Sequence, residues 1–132
     1  MKFLLDTHTS LWMSLDAPQL SAKARESIRD MGNELFLSPA TYWEIAIKAS
    51  IGKLKFTESL DVFVEREVTN NSLTLLPITA NHAEAVHNHP FPAKPAHKDP
   101  FDRLLIAQAL CENITILTCD EAFDAYEVDC VW

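Results

Sequence analysis

The sequence predicts an α/β fold in which a mostly parallel central sheet is covered by helices on both faces. Two observations carry this expectation. Four short apolar runs, Lys2 to Leu5, Leu35 to Leu37, Leu73 to Ile78 and Ile114 to Leu117, are bounded by polar or turn residues, as strands buried on both faces are. Stretches with helical start and stop signals lie between them, and strands that alternate with helices imply parallel pairing.

The first run closes at Asp6, and a helix is expected over residues 8–15. A second helix, over 22–31, has Ser21 as N-cap and Gly32 just past its end. After the second strand, Ser38 caps a helix over 39–50, with Pro39 in the first turn and Gly52 beyond the end. Helices over 59–69, over 80–88 after Thr79 and over 100–112 after Asp99 follow, and a closing strand falls near Val128 to Trp132. The segment from His89 to Lys98 contains three prolines and is expected to cross the surface as a loop. There is no internal repeat and no low-complexity tail.

Composition narrows the function. The chain has 132 residues, a net charge of −8, 48% hydrophobic and 23% charged residues, which suits one globular domain. No apolar run approaches the roughly 18–20 residues that span a bilayer, and Met1 to Asp6 reaches an acid too early for a signal peptide. A cytoplasmic protein with no membrane partner is expected. The two glycines, Gly32 and Gly52, are too far apart to build a phosphate-cradling loop, so nucleotide-binding P-loop and dinucleotide functions fall. Cys111, Cys119 and Cys130 lack the close pairing of a zinc or redox motif and read as buried small side chains. A simple polyanion binder would be basic, so a nucleic-acid substrate here requires metal ions to reverse the local field. Basic groups gather in two stretches, Lys48 to Lys55 and Lys94 to Arg103, close in sequence to the acids that follow.

In an open parallel sheet, ligands bind outside the carboxyl ends of the strands. Asp6 and Asp120 each follow a strand, and their carboxylates converge if those strands are neighbours; otherwise each merely caps the element after it. Glu44 lies on a helix that reads as largely buried, where it either pairs with Lys48 one turn later or points into a site that supplies cations. Asp99, Pro100 and Asp102 make a good helix start, with both acids favoured by the helix dipole. Capping does not explain why Asp6, Glu44, Asp102 and Asp120 all stand beside buried apolar segments. Clustered carboxylates repel unless a cation joins them, and oxygen-only sets suit Mg²⁺ or Mn²⁺. Such a site activates water and stabilises the departing oxygen of a phosphodiester, with no nucleophilic Ser or Cys required.

Four segments now become recognisable: Phe3-Leu4-Leu5-Asp6-Thr7-His8; Ser38-Pro39-Ala40-Thr41-Tyr42-Trp43-Glu44-Ile45-Ala46-Ile47-Lys48 followed by Gly52-Lys53-Leu54; Asp99-Pro100-Phe101-Asp102-Arg103-Leu104-Leu105-Ile106-Ala107-Gln108-Ala109; and Leu117-Thr118-Cys119-Asp120. In this order and spacing they resemble a PIN domain over the whole chain. More narrowly, the chain resembles the VapC kind of ribonuclease toxin from bacterial and archaeal type II toxin–antitoxin modules. The resemblance implies a three-layer α/β/α sandwich with a mostly parallel central sheet, a single PIN-like nuclease domain over residues 1–132, and Mg²⁺- or Mn²⁺-dependent endoribonuclease activity that hydrolyses RNA phosphodiesters with metal-activated water. It places the catalytic and metal-binding acids on Asp6, Glu44, Asp102 and Asp120, with Asp99 as a further metal-binding acid of the subgroup. Thr118 matches the Thr or Ser that one variant carries two residues before the last Asp. Such proteins generally form homodimers and are held inactive by a cognate antitoxin, whose peptide often reaches the acidic pocket with a basic residue.

Two other functions stay open. One is a catalytically inactive PIN-like module that binds RNA or protein, its acids serving as caps and salt bridges. The other is a phosphatase forming an aspartyl-phosphate on Asp6, although Asp6-Thr7-His8-Thr9 lacks the second acid two residues on that such enzymes use. His82, His87, His89 and His97 read as surface histidines near a site mouth, and His8 as part of the first helix start. Of the tryptophans, Trp43 reads as core, whereas Trp12 is the better candidate for an exposed contact with RNA, antitoxin or a second subunit.

Overall fold

Strand β1 (Lys2–Leu5) is the centre of a five-stranded sheet, with β2 (Glu34–Leu37) on one side and β4 (Thr115–Leu117) on the other. Outside these lie β3 (Leu73–Leu75) beside β2 and β5 (Cys130–Val131) beside β4, and every pairing is parallel. These elements come from a computed structural model that describes residues 1–55, 57–88 and 99–132. The expected proline loop, with His89, His97, Lys94 and Lys98, lies outside the described residues.

Successive side chains on a strand point to opposite faces, and β1 shows why all of its apolar residues are needed. Phe3 and Leu5 join Leu35, Leu37, Leu73 and Leu117 in a core completed by Leu20, Ala24 and side chains of α1 (Thr7–Ser14), α2 (Ala22–Arg29) and α3 (Pro39–Ser50). Leu4, one residue out of phase, joins Ile116 in a second core made with Leu105, Ile106 and Ala109 of α6 (Pro100–Glu112) and with Phe123 of a 3₁₀-helix (Glu121–Ala125). Two cores on the two faces of one sheet make the three-layer α/β/α sandwich. The remaining helices are α4 (Leu60–Asn70), which packs by β3, and α5 (Ala80–Asn88), which packs on α6. No helix among the described residues is long and apolar enough to cross a membrane.

The caps follow the residue types that predict them. Ser21 accepts from the Ala24 N–H at 3.0 Å, and Ser38 from the Ala40 N–H at 3.0 Å. Gly52, past the end of α3, has φ +76°, a conformation that disfavours a side chain. The second helix ends at Arg29 rather than residue 31, because Asp30 is extended and its carboxylate accepts from the Gly32 N–H at 2.8 Å. The third strand stops at Leu75. Leu76 still donates to the Leu37 carbonyl at 2.9 Å, but Pro77 has no N–H to continue the ladder.

Several burial expectations fail for reasons of helix phase. Cys111 and Cys119 are exposed and Cys130 is half-buried, since apolar neighbours in sequence do not fix which face a residue takes. Helix α3 is buried along one stripe only, through Ala40, Thr41, Glu44 and Ile45, while Trp43 is 61% exposed and Ile47 and Ile51 continue its exposed row. His82 is 1% exposed rather than on the surface. Its Nδ1 accepts from the Thr79 N–H at 3.0 Å, Thr79 Oγ1 accepts from the His82 N–H at 3.4 Å, and its Nε2 meets Glu112 at 2.9 Å, so it caps α5 and ties it to α6. His87 is exposed as expected, and His8 lies in the first turn of α1, as its place after Asp6 predicts.

Tyr42 shows a cost built into the packing of α3 against α4. Its buried hydroxyl has no hydrogen-bond partner among the described residues. Burial, and then the Glu67 carboxylate, push the phenol up from 10.0 to about 12. A folded-state pKa above the unfolded one leaves stability whole below pH 10.0 and removes it progressively toward pH 12, as the unfolded chain sheds its phenolic proton first. Tyr42→Phe should therefore melt at the same or a higher temperature at pH 7, with a shallower loss of stability above pH 10. Melting curves from pH 7 to 12 test this, and an equally steep alkaline decline in the variant would refute it.

Candidate metal centre

Register sets the first half of the site. Leu5 of β1 is level with Leu117 of β4, so the next residues, Asp6 and Thr118, lie side by side beyond the sheet. Asp6 is 4% exposed and serves as N-cap of α1, its Oδ1 accepting from the Thr9 N–H at 2.7 Å. Its Oδ2 accepts a short hydrogen bond from the Thr118 hydroxyl. The same hydroxyl oxygen accepts from the Asp120 N–H at 3.0 Å, and the exposed Asp120 carboxylate in turn caps the 3₁₀-helix through the Ala122 N–H at 2.9 Å. Thr9 closes the arrangement by donating its hydroxyl to the Leu117 carbonyl at 2.8 Å. Asp6 and Asp120 are thus caps, and they also share one threonine.

The second half comes from two helix starts. Glu44, in the second turn of α3, and Asp99 and Asp102, at the start of α6, bring one carboxylate oxygen each within 4.8 Å of one another. Asp99 spends Oδ1 on the Phe101 and Asp102 N–H groups, at 2.9 and 3.0 Å, the N-cap geometry its sequence predicts. Glu44 is 6% exposed, and its Oε2 has no hydrogen-bond partner among the described residues. Lys48 stands one turn on with Nζ 3.7 Å from that oxygen, so the expected pairing exists but is too long for a hydrogen bond. Among the described residues this is the sole set of three metal-ligating side chains at such a spacing. Asp6 and Asp120 stand outside it, linked to each other through Thr118 beyond β1 and β4.

A buried carboxylate oxygen without a donor is costly, and two more carboxylates facing it raise the cost. Three carboxylate donors this close fit a hard divalent cation, which would add a closer partner for Glu44 than Lys48 at 3.7 Å. The thiols nearby report the negative field. Partial burial and then Asp6, with Asp120 adding less, push the Cys119 thiol up. Burial, followed by Asp124, Asp129 and Asp6, pushes Cys130 up to about 11.

Beside these acids runs a groove of about 580 Å³ between α1 and the chain around α3 and α4. Thr7 and His8, which follow Asp6, line one end, and Lys48, Lys53, Lys55 and Arg66 supply its positive charge. The first three were legible as a basic stretch. Arg66 was not, because it comes from α4 and reaches Ser14 at 2.9 Å across 52 residues of sequence. Trp12 is not a free platform: it is half-buried between His8, at 5.6 Å, and Trp132, at 5.7 Å. Trp43 takes the exposed role instead, its ring edge-to-face with Phe101 at 5.3 Å.

A parallel sheet flanked by helices, with carboxylates gathered beyond its central strand, defines an α/β protein with an acidic centre at the carboxyl edge. The sequence model of the PIN domain matches residues 3–128, and the chain belongs to that family. No curated protein matches it in sequence. In structure it is similar to VapBC2 from Rickettsia felis bound to a DNA fragment from its promoter (TM-score 0.72, 14% identity, 99% of this chain and 98% of the other). It is also similar to FitAcB from Neisseria gonorrhoeae (0.70, 21%, 98% and 96%) and to a toxin–antitoxin complex from Klebsiella pneumoniae (0.62, 15%, 98% and 95%).

The Thr118 hydroxyl is the joint between Asp6 and Asp120, which makes it a sharp probe of the site. Thr118→Val keeps the shape but leaves a buried carboxylate oxygen without a donor, and should lower stability by about 1–3 kcal/mol. Thr118→Ser should recover most of that loss. Urea unfolding of the three proteins measures the difference, and a Val variant as stable as the wild type would show that the hydroxyl is dispensable.

Proposed function

We propose that this chain is a metal-dependent endoribonuclease, a PIN-like nuclease domain over residues 1–132 that acts in the cytoplasm as the toxin half of a toxin–antitoxin pair. The observation that carries the reading is the buried Glu44, which offers a carboxylate oxygen within 4.8 Å of those of Asp99 and Asp102 and whose Oε2 has no hydrogen-bond donor among the described residues. The Lys48 ion pair at 3.7 Å leaves that oxygen short of a hydrogen bond, and a bound cation would supply the close contact that the pair does not. Membership of the PIN family and the toxin–antitoxin complexes among similar structures support the same assignment.

Glu44, Asp99 and Asp102, with Asp6 and Asp120 adjoining, would hold Mg²⁺ or Mn²⁺. When bound, the ion supplies an activated water and neutralises charge at the phosphodiester. The chain's own residues do the rest. Asp102 lies in the first turn of α6, where the helix N-terminus favours negative charge, and Asp99 caps that turn. Thr118 and the Thr9 N–H fix the Asp6 carboxylate. Lys53 and Lys55, exposed on the rim of the groove and without ion-pair partners among the described residues, attract the RNA backbone toward an otherwise acidic chain. The partners of this function are an RNA substrate, a cognate antitoxin and a second copy of the chain.

The purified chain should cleave RNA with Mg²⁺ or Mn²⁺ and stop with a chelator, and its melting temperature should rise with millimolar metal. Asp102→Asn should melt no lower than the wild type without metal, because one repelling charge is gone. Its cleavage rate should fall by more than the roughly 10–100-fold that loss of a metal ligand's supporting partner costs. An Asp102→Asn protein that unfolds yet cleaves normally in its folded fraction would make Asp102 a structural cap. Metal-insensitive melting together with no cleavage would favour the inactive binding module.

The groove has its own test. Replacing Lys53 and Lys55 by Ala should weaken binding of single-stranded RNA and flatten the dependence of log affinity on log salt by roughly 0.7 per lost phosphate contact. Unchanged salt dependence, measured by titration from 50 to 200 mM salt, would remove the groove from the RNA path.

A further inference from the structure

The nuclease reading leaves one exposed aromatic ring unexplained, and its position is specific. Trp43 is the only aromatic side chain among the large, exposed apolar residues described. It immediately precedes Glu44, and its ring partner among the described residues, Phe101, immediately precedes Asp102. The two helix starts that bring the acids within 4.8 Å therefore also bring two rings to a centroid distance of 5.3 Å at an interplanar angle of 82°. Edge-to-face contact with Phe101 braces the Trp43 ring, which remains 61% exposed.

We propose that Trp43 is a stacking platform for one unpaired base of the RNA next to the scissile phosphate, with Phe101 as the residue that positions it. The inference rests on the nuclease reading above. If the acids hold the phosphodiester that is cut, the flanking nucleotide must lie within one nucleotide's reach of Glu44 and Asp102, and the open ring is there. A base has a π-face whatever its identity, so an aromatic at this place anchors the strand and requires that base to be unpaired. The exposed row continues through Ile47 and Ile51, as a surface covered by a second copy would. A copy centred on Trp43, however, would close over Glu44, Asp99 and Asp102, whose access the chemistry needs.

The test compares the wild type, Trp43→Leu and Trp43→Phe in cleavage of a 12-nucleotide single-stranded RNA, with sedimentation of each protein alongside. Stacking on one aromatic corresponds to roughly a 5- to 150-fold effect. KM for the single strand should rise by that order in Trp43→Leu and by no more than about threefold in Trp43→Phe, with kcat, melting temperature and metal-induced stabilisation nearly unchanged. Binding of a 12-base-pair RNA duplex should not differ among the three. If the wild type cleaves and Trp43→Leu has the same KM, the platform is refuted while the nuclease reading stands. If Trp43→Leu loses activity only in step with a fall in sedimentation coefficient, the ring is an interface between copies and the proposal fails. If the wild type neither binds nor cleaves single-stranded RNA, both readings fall together.

Discussion

Because β1 lies between β2 and β4, with Leu4 level with Phe36 and Leu5 level with Leu117, the first residue beyond each of three strands falls into a single row: Asp6, Ser38 and Thr118. Each member of the row begins something. Asp6 caps α1, Ser38 caps α3, and Thr118 receives the N–H of the residue that caps the 3₁₀-helix. A one-residue slip of either pairing would move the apolar side chains to the wrong core and break the row, so the hydrophobic pattern that fixes the register also fixes the acids. The site is in this sense a by-product of the packing of both faces.

The price of that arrangement is electrostatic. Glu44, Asp99 and Asp102 each bring a carboxylate oxygen within 4.8 Å of the others, and Asp6 and Asp120 share the Thr118 hydroxyl, in a chain that is already acidic. Asp6 and Asp99 accept from N–H groups at helix N-termini, and Asp102 lies in the first turn of α6. Glu44 has no such donor and leans on Lys48 at a distance that gives attraction without a hydrogen bond. Burial first, and the neighbouring carboxylates after it, push the Cys119 and Cys130 thiols up. A fold selected for stability alone would relieve this crowding.

Backbone features were legible because local rules govern them. Caps at Ser21, Ser38 and Asp99, the left-handed Gly52 and the order of strands and helices all follow from residue types within a turn of where they act. What sequence could not supply was helix phase and long-range company. Trp43 and Trp12 exchanged their expected roles because α3 is buried on the stripe of Glu44 and Ile45, while Trp12 is packed against Trp132 from the far end of the chain. His82 left the surface because it meets Glu112, 30 residues away. The acids were legible as individuals, but their division into an Asp6 and Asp120 pair and a Glu44, Asp99 and Asp102 set depends on which helix starts touch, and no local pattern encodes that.

The outer strands carry a different consequence. β3 is three residues long, begins after Ser72 in a left-handed conformation and is cut short by Pro77; β5 has two residues and follows Glu127 and Asp129, both exposed. Short borders flanked by proline and charge are poor templates for an incoming strand. Both margins therefore disfavour β-augmentation, and side chains on the helical layers or in the groove between them offer another polypeptide the better grip. Recognition by any protein partner would accordingly be encoded in its apolar and charged anchors, with little contribution from a shared backbone ladder.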